Sequence, residues 1–164
     1  MSSSTMDNDA PPALDAVVDL GPLPGLTGYA LRRAQIAVFH DFHRTMEAEG
    51  IRTAQFSVLE VLKANPGLRQ TQVSFALGIK TTNFVPLFDE LERRGLAERR
   101  PIPGDRRAKG LFLTEAGRAT LERLEKLVAE HEARFVARIG AAGKAQLLGL
   151  LHRLTDRTFD PDRS

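Results

Sequence analysis

A dense run of basic side chains lies in the second half of the chain, and phosphate binding is the chemistry to which it is suited. Between residues 93 and 109, seven side chains are Arg or Lys and two are acidic, a local net charge of +5 in a chain whose net charge is +2. The other residues together carry −3, so the positive charge is concentrated in one place. Such a cluster displaces counterions from a nucleic-acid backbone, and arginine also suits a narrow, strongly negative minor groove. The basic members are Arg93, Arg94, Arg99, Arg100, Arg106, Arg107 and Lys109.

The residues around the basic run predict a hairpin that carries it. Leu96 to Arg100 and Ala108 to Leu113 have the composition of short strands. The segment between them contains Pro101, Pro103 and Gly104, which exclude a helix and favour a loop. The sequence therefore predicts a β-hairpin with a long basic tip.

Three helices are predicted before this hairpin. The first starts near Thr53 and stops at Asn65-Pro66-Gly67, and the second covers Thr71 to Leu77 and is closed by Gly78. The third follows the tight turn and ends at Gly95. The order helix, helix, tight turn, helix, basic hairpin is that of a winged helix-turn-helix, in which the helix after the turn can enter the major groove of DNA.

The helix after the turn supplies polar side chains that could contact a duplex. Thr81, Thr82 and Asn83 stand at its start, where hydroxyl and backbone N–H groups can bind phosphate and an amide can hydrogen-bond adenine. The same three residues could instead only cap the helix. Pro86 fits without a kink only in the first helical turn, which favours a helix that begins near Asn83 and leaves the register of base contacts open.

Long amphipathic helices are predicted at both ends of the chain. One runs from Thr27 to Gly50, a second of about 25 residues is capped by Thr114, and a last helix follows Gly143. Their apolar stripes are too broad for isolated helices. We therefore expect these helices to pack together and against a second copy of the chain.

These elements predict a mainly α fold with one small β-hairpin, in which a winged helix-turn-helix lobe is joined to a helical dimerisation region formed by the N- and C-terminal helices. Residues 1–25 are expected to be a mobile tail, because Ser, Asp, Asn and Pro dominate them. The dimerisation region is predicted at 26–50 and 114–160, and the DNA-binding lobe at 51–113.

Composition excludes several classes of protein. The chain has no cysteine, which excludes disulfides, thiolate metal sites and thiol-based redox sensing. No segment approaches the roughly 20 apolar residues of a membrane span, and the N-terminus lacks the features of a signal peptide, so we expect a soluble, cytoplasmic protein. Metalloprotease, phosphate-loop and nucleophile-elbow motifs are missing, so neither an enzyme nor a cofactor is expected.

Two adjacent motifs resemble those of a known family. The stretch D-R-R-A-K-G-L-F-L-T-E-A-G at 105–117 is similar to the wing signature of the MarR family of dimeric winged-helix transcriptional regulators. It is preceded at 91–100 by L-E-R-R-G-L-A-E-R-R, which resembles the family's passage from the recognition helix into the first wing strand. The residues that fall at the spacing of the signature are Asp105, Arg107, Leu111, Leu113, Thr114 and Gly117.

The resemblance implies that Arg107, at the wing tip, enters the minor groove while Asp105 orients a nearby arginine through a charge-assisted contact. It further implies a homodimer that binds a pseudo-palindromic double-stranded DNA operator and responds to a small-molecule effector. The residues expected to contact DNA are Arg107, Arg106, Lys109, Arg100, Thr81, Thr82 and Asn83.

The resemblance is to those members that control the catabolism of aromatic acids. It implies a repressor that is released by a small aromatic acid or its coenzyme A thioester, bound between the dimerisation helices and the DNA-binding lobe. Aromatic walls, hydrogen-bonding groups and cations are available there, although the phenylalanines could instead be core residues. The expected pocket residues are Arg32, Arg33, Phe39, His40, Phe42, His43 and Phe56.

Two other hypotheses remain open at this point. The basic hairpin could contact an acidic protein, which would make the chain a helical interaction module. Alternatively, His40 and His43, spaced i, i+3, could bind a metal in a metal-responsive regulator. No cysteine or paired carboxylate completes a recognisable ligand set, so no metal site is expected.

Overall fold

The computed structural model describes residues 18–102 and 105–155, with only the backbone at 105–108. Two compact units make up the chain, residues 1–37 and 38–164. The expected tail at 1–25 lies mostly outside the described residues, which show one 3-10 turn near its end, at Leu23–Gly25. The α-helices and strands are, in chain order, α1 (Thr27–Met46), α2 (Thr53–Ala64), α3 (Gln70–Ala76), α4 (Thr81–Arg93), β1 (Ala97–Ile102), β2 (Asp105–Leu113) and α5 (Glu115–Thr155). A second 3-10 turn, Glu47–Glu49, follows α1.

An apolar core shared by α1, α2, α3, α4, the hairpin and α5 holds the larger unit together. Phe84 and Phe88 of α4 are completely buried, and their rings stack with centroids 6.0 Å apart. Burial of each large apolar side chain stabilises the fold by about 1.5–3 kcal/mol, so these two residues alone anchor α4 firmly. Other fully buried members of the core are Met46, Val58, Leu59, Leu62, Val73, Leu91 and Leu124.

The tight turn between α3 and α4 forms at the predicted place. Gly78 has a φ of 62°, in the left-handed region that favours glycine. The N–H of Ile79 donates to the carbonyl of Ser74 at 2.9 Å, and the N–H of Gly78 donates to the carbonyl of Phe75 at 3.1 Å. These bonds set the direction of α4 relative to α3 and confirm the helix-turn-helix.

The start of α4 differs from the prediction. The N–H groups of Asn83 and Phe84 both donate to the carbonyl of Lys80, at 2.9 and 3.0 Å, so the helix begins at Thr81 with Lys80 as its N-cap. Pro86 is therefore the sixth helical residue and lies inside α4 instead of in its first turn. Proline has no N–H, but it is exposed here, and water can satisfy the carbonyl one turn earlier.

The hairpin is confirmed, and its strands are longer than the sequence predicts. They extend to Ile102 and from Asp105, so that Pro101, predicted to lie in the loop, is a strand residue opposite Lys109. A two-stranded sheet consists of edge strands only, where a missing N–H is tolerated. The ladder shifts register between Pro101 and Ile102.

Two glycines of the 105–117 motif are required by close backbone approaches. A Cβ atom on Gly110 would lie 2.8 Å from the carbonyl oxygen of Gly67, and one on Gly117 would lie 1.9 Å from that of Leu96. At Gly110 the chain segment after α2 joins the hairpin, where the N–H of Gly67 donates to the carbonyl of Leu111 at 2.9 Å. Any larger residue at either glycine would push the wing away from its support.

The last helical segment also departs from the prediction at one point. Thr114 caps α5 as predicted, since its Oγ1 accepts a hydrogen bond from the N–H of Gly117 at 2.9 Å. The break between the two C-terminal helices is at Gly140, with a φ of 72°, three residues before the predicted Gly143. Among the described residues, no helix is long and apolar enough to cross a membrane.

Candidate nucleic-acid interface and basic groove

The first turn of α4 is exposed and its side chains are unpaired. Thr81, Thr82 and Asn83 are its first three residues. They make no capping bond, and within the described residues their side chains have no hydrogen-bond partner. The first N–H groups of a helix also lack intrahelical acceptors and carry partial positive charge. This turn can therefore donate several hydrogen bonds to phosphate or base edges.

Two residues that the sequence did not single out extend this exposed turn. Lys80 is the exposed N-cap residue and adds a full positive charge where the helix dipole is also positive. Val85 is 38% exposed, although it is apolar, and can contact a thymine methyl group. The sequence could have indicated that Val85 is exposed, because it lies outside the buried stripe that contains Phe84 and Phe88.

The wing presents two of its predicted DNA contacts. Arg100 and Lys109 are both exposed. Arg100 forms an ion pair with Glu98, and the hydrogen bond from its guanidinium to this carboxylate raises the pKa of Arg100. The same guanidinium lies 5.2 Å from the centre of the Phe112 ring. Arg100 is thus held along the strand, where it can reach a phosphate by exchanging Glu98 for it.

The wing-tip side chains lie outside the described part of the molecule. The backbone places Arg106 and Arg107 in β2, next to Asp105 at the start of the strand. The predicted minor-groove contact of Arg107, the contact of Arg106 with DNA and the orienting role of Asp105 stay predictions.

Arg99 belongs to the basic run of the sequence, but its side chain forms contacts within the lobe. Its side chain is only 18% exposed and forms ion pairs with Asp89, at 2.7 Å, and with Glu92. Its guanidinium also lies 4.5 Å from the centre of the Phe88 ring. These contacts fix β1 against α4, so the wing and the exposed helix turn are held as one surface.

A groove of about 680 Å³ opens where α1 ends and α2 begins. Small-molecule sites commonly have volumes of about 300–1,000 Å³ and combine an apolar lining with a few polar groups. Here the buried side chains of Met46 and Ile51 supply the apolar part. The polar rim consists of His40, His43, Arg44 and Arg52, together with one acidic residue, Glu47.

The linker at this groove is bonded directly to α4. The Arg94 guanidinium, at the end of α4, donates to the carbonyl of Gly50 at 2.8 Å and to that of Glu49 at 2.9 Å. Arg52, on the groove rim, forms an ion pair with Glu90 of α4. Two arginine side chains therefore join the linker that borders the groove to α4, the helix with the exposed first turn.

The predicted effector-pocket residues are only partly brought together. His40 and His43 line the groove. Phe42 is 7% exposed and its ring lies 5.8 Å from that of half-buried Phe56, so both pack in the core. Phe39 is 42% exposed and does not line the groove. The other two predicted residues, exposed in the unit formed by residues 1–37, are Arg32 and Arg33.

A buried histidine to which the sequence assigned no role joins α1 to α5. His131 is 2% exposed, with its Nδ1 2.7 Å from Oδ2 of Asp41. Its ring packs edge-on against Phe42 and Phe135, at 5.4 and 5.0 Å between centroids. Arg134 donates to the same carboxylate at 2.8 Å, and the hydrogen bonds from Arg134 and His131, in that order, lower the pKa of Asp41.

The part of the chain that the structure describes contains no candidate metal site. No three His, Cys, Asp or Glu residues of that part are grouped so that they could hold a metal ion. His40 and His43 have no third such residue beside them in that part of the chain, and both line the groove.

Comparison with known proteins agrees with the winged helix-turn-helix architecture. A family model described as the MarR family matches residues 49–108. A Thauera aromatica protein named as a transcriptional regulatory protein for the hcr operon is 37% identical over 135 residues, which are 82% of this chain and 81% of that protein.

Two solved structures of a transcriptional repressor, CouR, superpose closely on this chain. CouR bound to a 23-mer DNA duplex has a TM-score of 0.81 and 46% identity, and covers 85% of this chain and 99% of its own. CouR bound to p-coumaroyl-CoA has a TM-score of 0.80 and 43% identity, with 86% and 99% covered. By sequence and by fold, this chain belongs to the MarR family of winged helix-turn-helix transcriptional regulators.

Proposed function

We propose that this protein is a dimeric DNA-binding repressor that is released from its operator by an aromatic acid or the coenzyme A thioester of one. The exposed, unpaired first turn of α4 is the observation that carries the proposal. Buried Phe84 and Phe88 anchor α4 in the core, and Arg99 joins the second half of α4 to the wing. The similarity to a repressor solved on a DNA duplex supports the same role for this surface.

DNA recognition divides between the helix and the wing. Thr81, Thr82 and Asn83, with Lys80, contact phosphates and base edges in the major groove. The wing places Arg107 in the adjacent minor groove, while Arg100, Arg106 and Lys109 neutralise phosphates and Asp105 orients an arginine. The lobe at 51–113 is thus the DNA-binding part of the molecule.

Dimerisation follows from apolar residues that one chain leaves uncovered. After Gly140, Leu147, Leu148, Leu150 and Leu154 of α5 are between 43% and 56% exposed. A cluster of four exposed leucines on one short helix is costly in water and typical of a protein interface. We assign the segments at 26–50 and 114–160 to dimerisation, which places two DNA-binding lobes on a pseudo-palindromic operator.

The groove between α1 and α2 is the effector site that suits this function. Its apolar floor fits an aromatic ring, and the arginines of its polar rim fit a carboxylate or phosphate. The similar repressor solved with p-coumaroyl-CoA supports an aromatic thioester as the effector class. An effector bound here lowers the affinity of the dimer for its operator.

The decisive test is operator binding by the wild-type protein and by Arg107→Ala. DNA fragments from the promoter region of its own gene are titrated at several salt concentrations. We expect the log affinity to fall steeply with log salt, and the substitution to weaken binding by about 1–3 kcal/mol and to reduce the salt slope by about one.

Arg138→Ala is the matched control, because it removes an exposed arginine from α5, far from the wing in sequence. This variant should bind as the wild type does. Full affinity in Arg107→Ala would contradict the role of the wing, and tight binding to an acidic protein without duplex binding would favour the interaction-module hypothesis.

A further inference from the structure

The rim of the groove offers two arginines for an anionic group, against the single carboxylate of Glu47, and one of these arginines also contacts α4. Arg44 and Arg52 both line the groove, and both are largely exposed, at 72% and 66% of their side chains. Arg44 is paired with Asp41, one turn away on its own helix. Arg52 is paired with Glu90, on the helix whose first turn contacts DNA in the proposed function.

An anion in the groove would compete with Glu90 for Arg52. A carboxylate and a phosphate are both acceptors that an arginine fork can bind through paired hydrogen bonds. The Arg52–Glu90 pair is exposed, so it is weak and can be exchanged at little cost. Arg94, in contrast, holds the backbone of the linker and is not displaced by such an exchange.

We propose that Arg52 is the residue through which the groove controls α4: an effector's anionic group takes Arg52 from Glu90 and thereby loosens the hold on α4. The inference rests on the proposed function, because it specifies how the effector site acts on the DNA-binding helix. When the groove is empty, Arg52 and Arg94 hold α4 to the α1–α2 linker at two points. When it is occupied, the Arg94 contact and the core packing of Phe84 and Phe88 remain, and the loss of the Arg52 contact shifts α4 slightly from the orientation that binds the operator.

The coupling is thermodynamically reciprocal. If the effector lowers operator affinity by a given factor, the operator lowers effector affinity by the same factor. Removing Glu90 should therefore have opposite effects on the two ligands. Effector affinity should rise, because Glu90 no longer competes for Arg52. Operator affinity should fall, because the Arg52 contact no longer positions α4.

Three probes separate the possible sources of the anion. Free p-coumarate carries a carboxylate, coenzyme A carries phosphates without an aromatic ring, and p-coumaroyl-CoA carries phosphates with the ring. Binding of each probe is measured by calorimetry without DNA, and operator affinity is measured with and without saturating probe. Release by p-coumarate alone identifies a carboxylate as the anion, and release that requires the thioester identifies the phosphates.

The variants are Arg52→Gln, Glu90→Gln and, as a matched control on the same rim, Arg44→Gln. Arg52→Gln should weaken binding of the active probe about tenfold. Glu90→Gln should strengthen it several-fold. Both should bind the operator more weakly than the wild type before any probe is added, and both should lose most of the probe-induced release.

Arg44→Gln should lower probe affinity only moderately and leave the ratio of operator affinities with and without probe unchanged. Arg44 is paired with Asp41 of its own helix, so its replacement should leave the contacts of α4 intact. Circular dichroism confirms that all three variants are folded. The opposite shifts of probe affinity in Arg52→Gln and Glu90→Gln separate this mechanism from a structural role, which would weaken both.

Failure of the inference differs from failure of the proposed function. If wild-type protein binds the operator and a probe releases it, but Arg52→Gln is released to the same extent, Arg52 is not the coupling residue. If none of the probes releases the wild-type protein, the proposed effector class is wrong and the inference is overturned with it.

Discussion

The winged lobe and the end of α5 use similar apolar residues in opposite ways. In the lobe, Phe84, Phe88 and Leu59 are fully buried. In the helical segment after Gly140, Leu150 is 56% exposed and three other leucines are nearly as exposed. One chain therefore completes the core of its DNA-binding lobe but not the packing of its last helix. The difference marks the segment after Gly140 as the part of the described chain whose apolar surface is left for an interface.

Replacement of a core aromatic residue should have the largest effect on stability. Phe88→Ala removes a fully buried ring that stacks on Phe84 and supports Arg99. We expect the free energy of unfolding to fall by about 3–5 kcal/mol in a urea titration. Phe75→Ala makes the same change at a residue that is 83% exposed, and should alter stability by less than about 0.5 kcal/mol. Equal losses of unfolding free energy in the two variants would mean that burial of Phe88 does not stabilise the lobe.

A charge on the exposed leucine stripe should break the dimer and spare the lobe. Leu150→Glu places a carboxylate where the proposed interface is apolar, and we expect dimer affinity to fall by about 3 kcal/mol, more than a hundredfold. Sedimentation velocity reports this change. Gly149→Glu adds the same charge on the side of the helix away from the four leucines, where an added Cβ atom meets no atom within 4 Å, and it should leave the assembly intact. A dimer that tolerates Leu150→Glu would move the interface elsewhere.

The smallest effect is expected where α1 meets α5. Hydrogen bonds from Arg134 and His131 lower the pKa of Asp41, so their stabilisation is present above the ordinary carboxyl pKa of about 4 and is lost as pH falls below it. Asp41→Asn should lower the melting temperature by a few degrees at pH 7, with little further loss from this site in acid. Calorimetry between pH 7 and 3 measures both curves.

The control for this site is Glu115→Gln, at a side chain that is 96% exposed and weakly paired with Arg118. It should leave the melting temperature nearly unchanged. If the curves of wild type and Asp41→Asn run parallel down to pH 3, the Asp41 contacts do not stabilise the folded state.

Locally encoded features were predictable from the sequence. The turn at Gly78 and the cap at Thr114 depend on one residue and its near neighbours, and both form where expected. The start of α4 was not predictable in this way. Pro86 pointed to a later start, but hydrogen bonds to the carbonyl of Lys80 begin the helix at Thr81, and exposure makes the internal proline tolerable.

The roles of individual residues in the basic run were also not predictable from the sequence. The sequence counts Arg94 and Arg99 with the basic run, yet the structure uses one to hold backbone carbonyls and the other to join β1 to α4. A charge count treats every basic residue alike. Which side of a strand or helix faces an acidic partner depends on packing that the count does not contain.

The sequence by itself determined the order of the elements, the basic hairpin and the family resemblance, because periodicity, caps and turn residues act over a few neighbouring positions. Only the tertiary structure decided that Arg52 meets Glu90, 38 residues away, and that Asp41 meets His131 and Arg134. Contacts between distant positions depend on how the helices cross, and that crossing is set by the shape of the whole core.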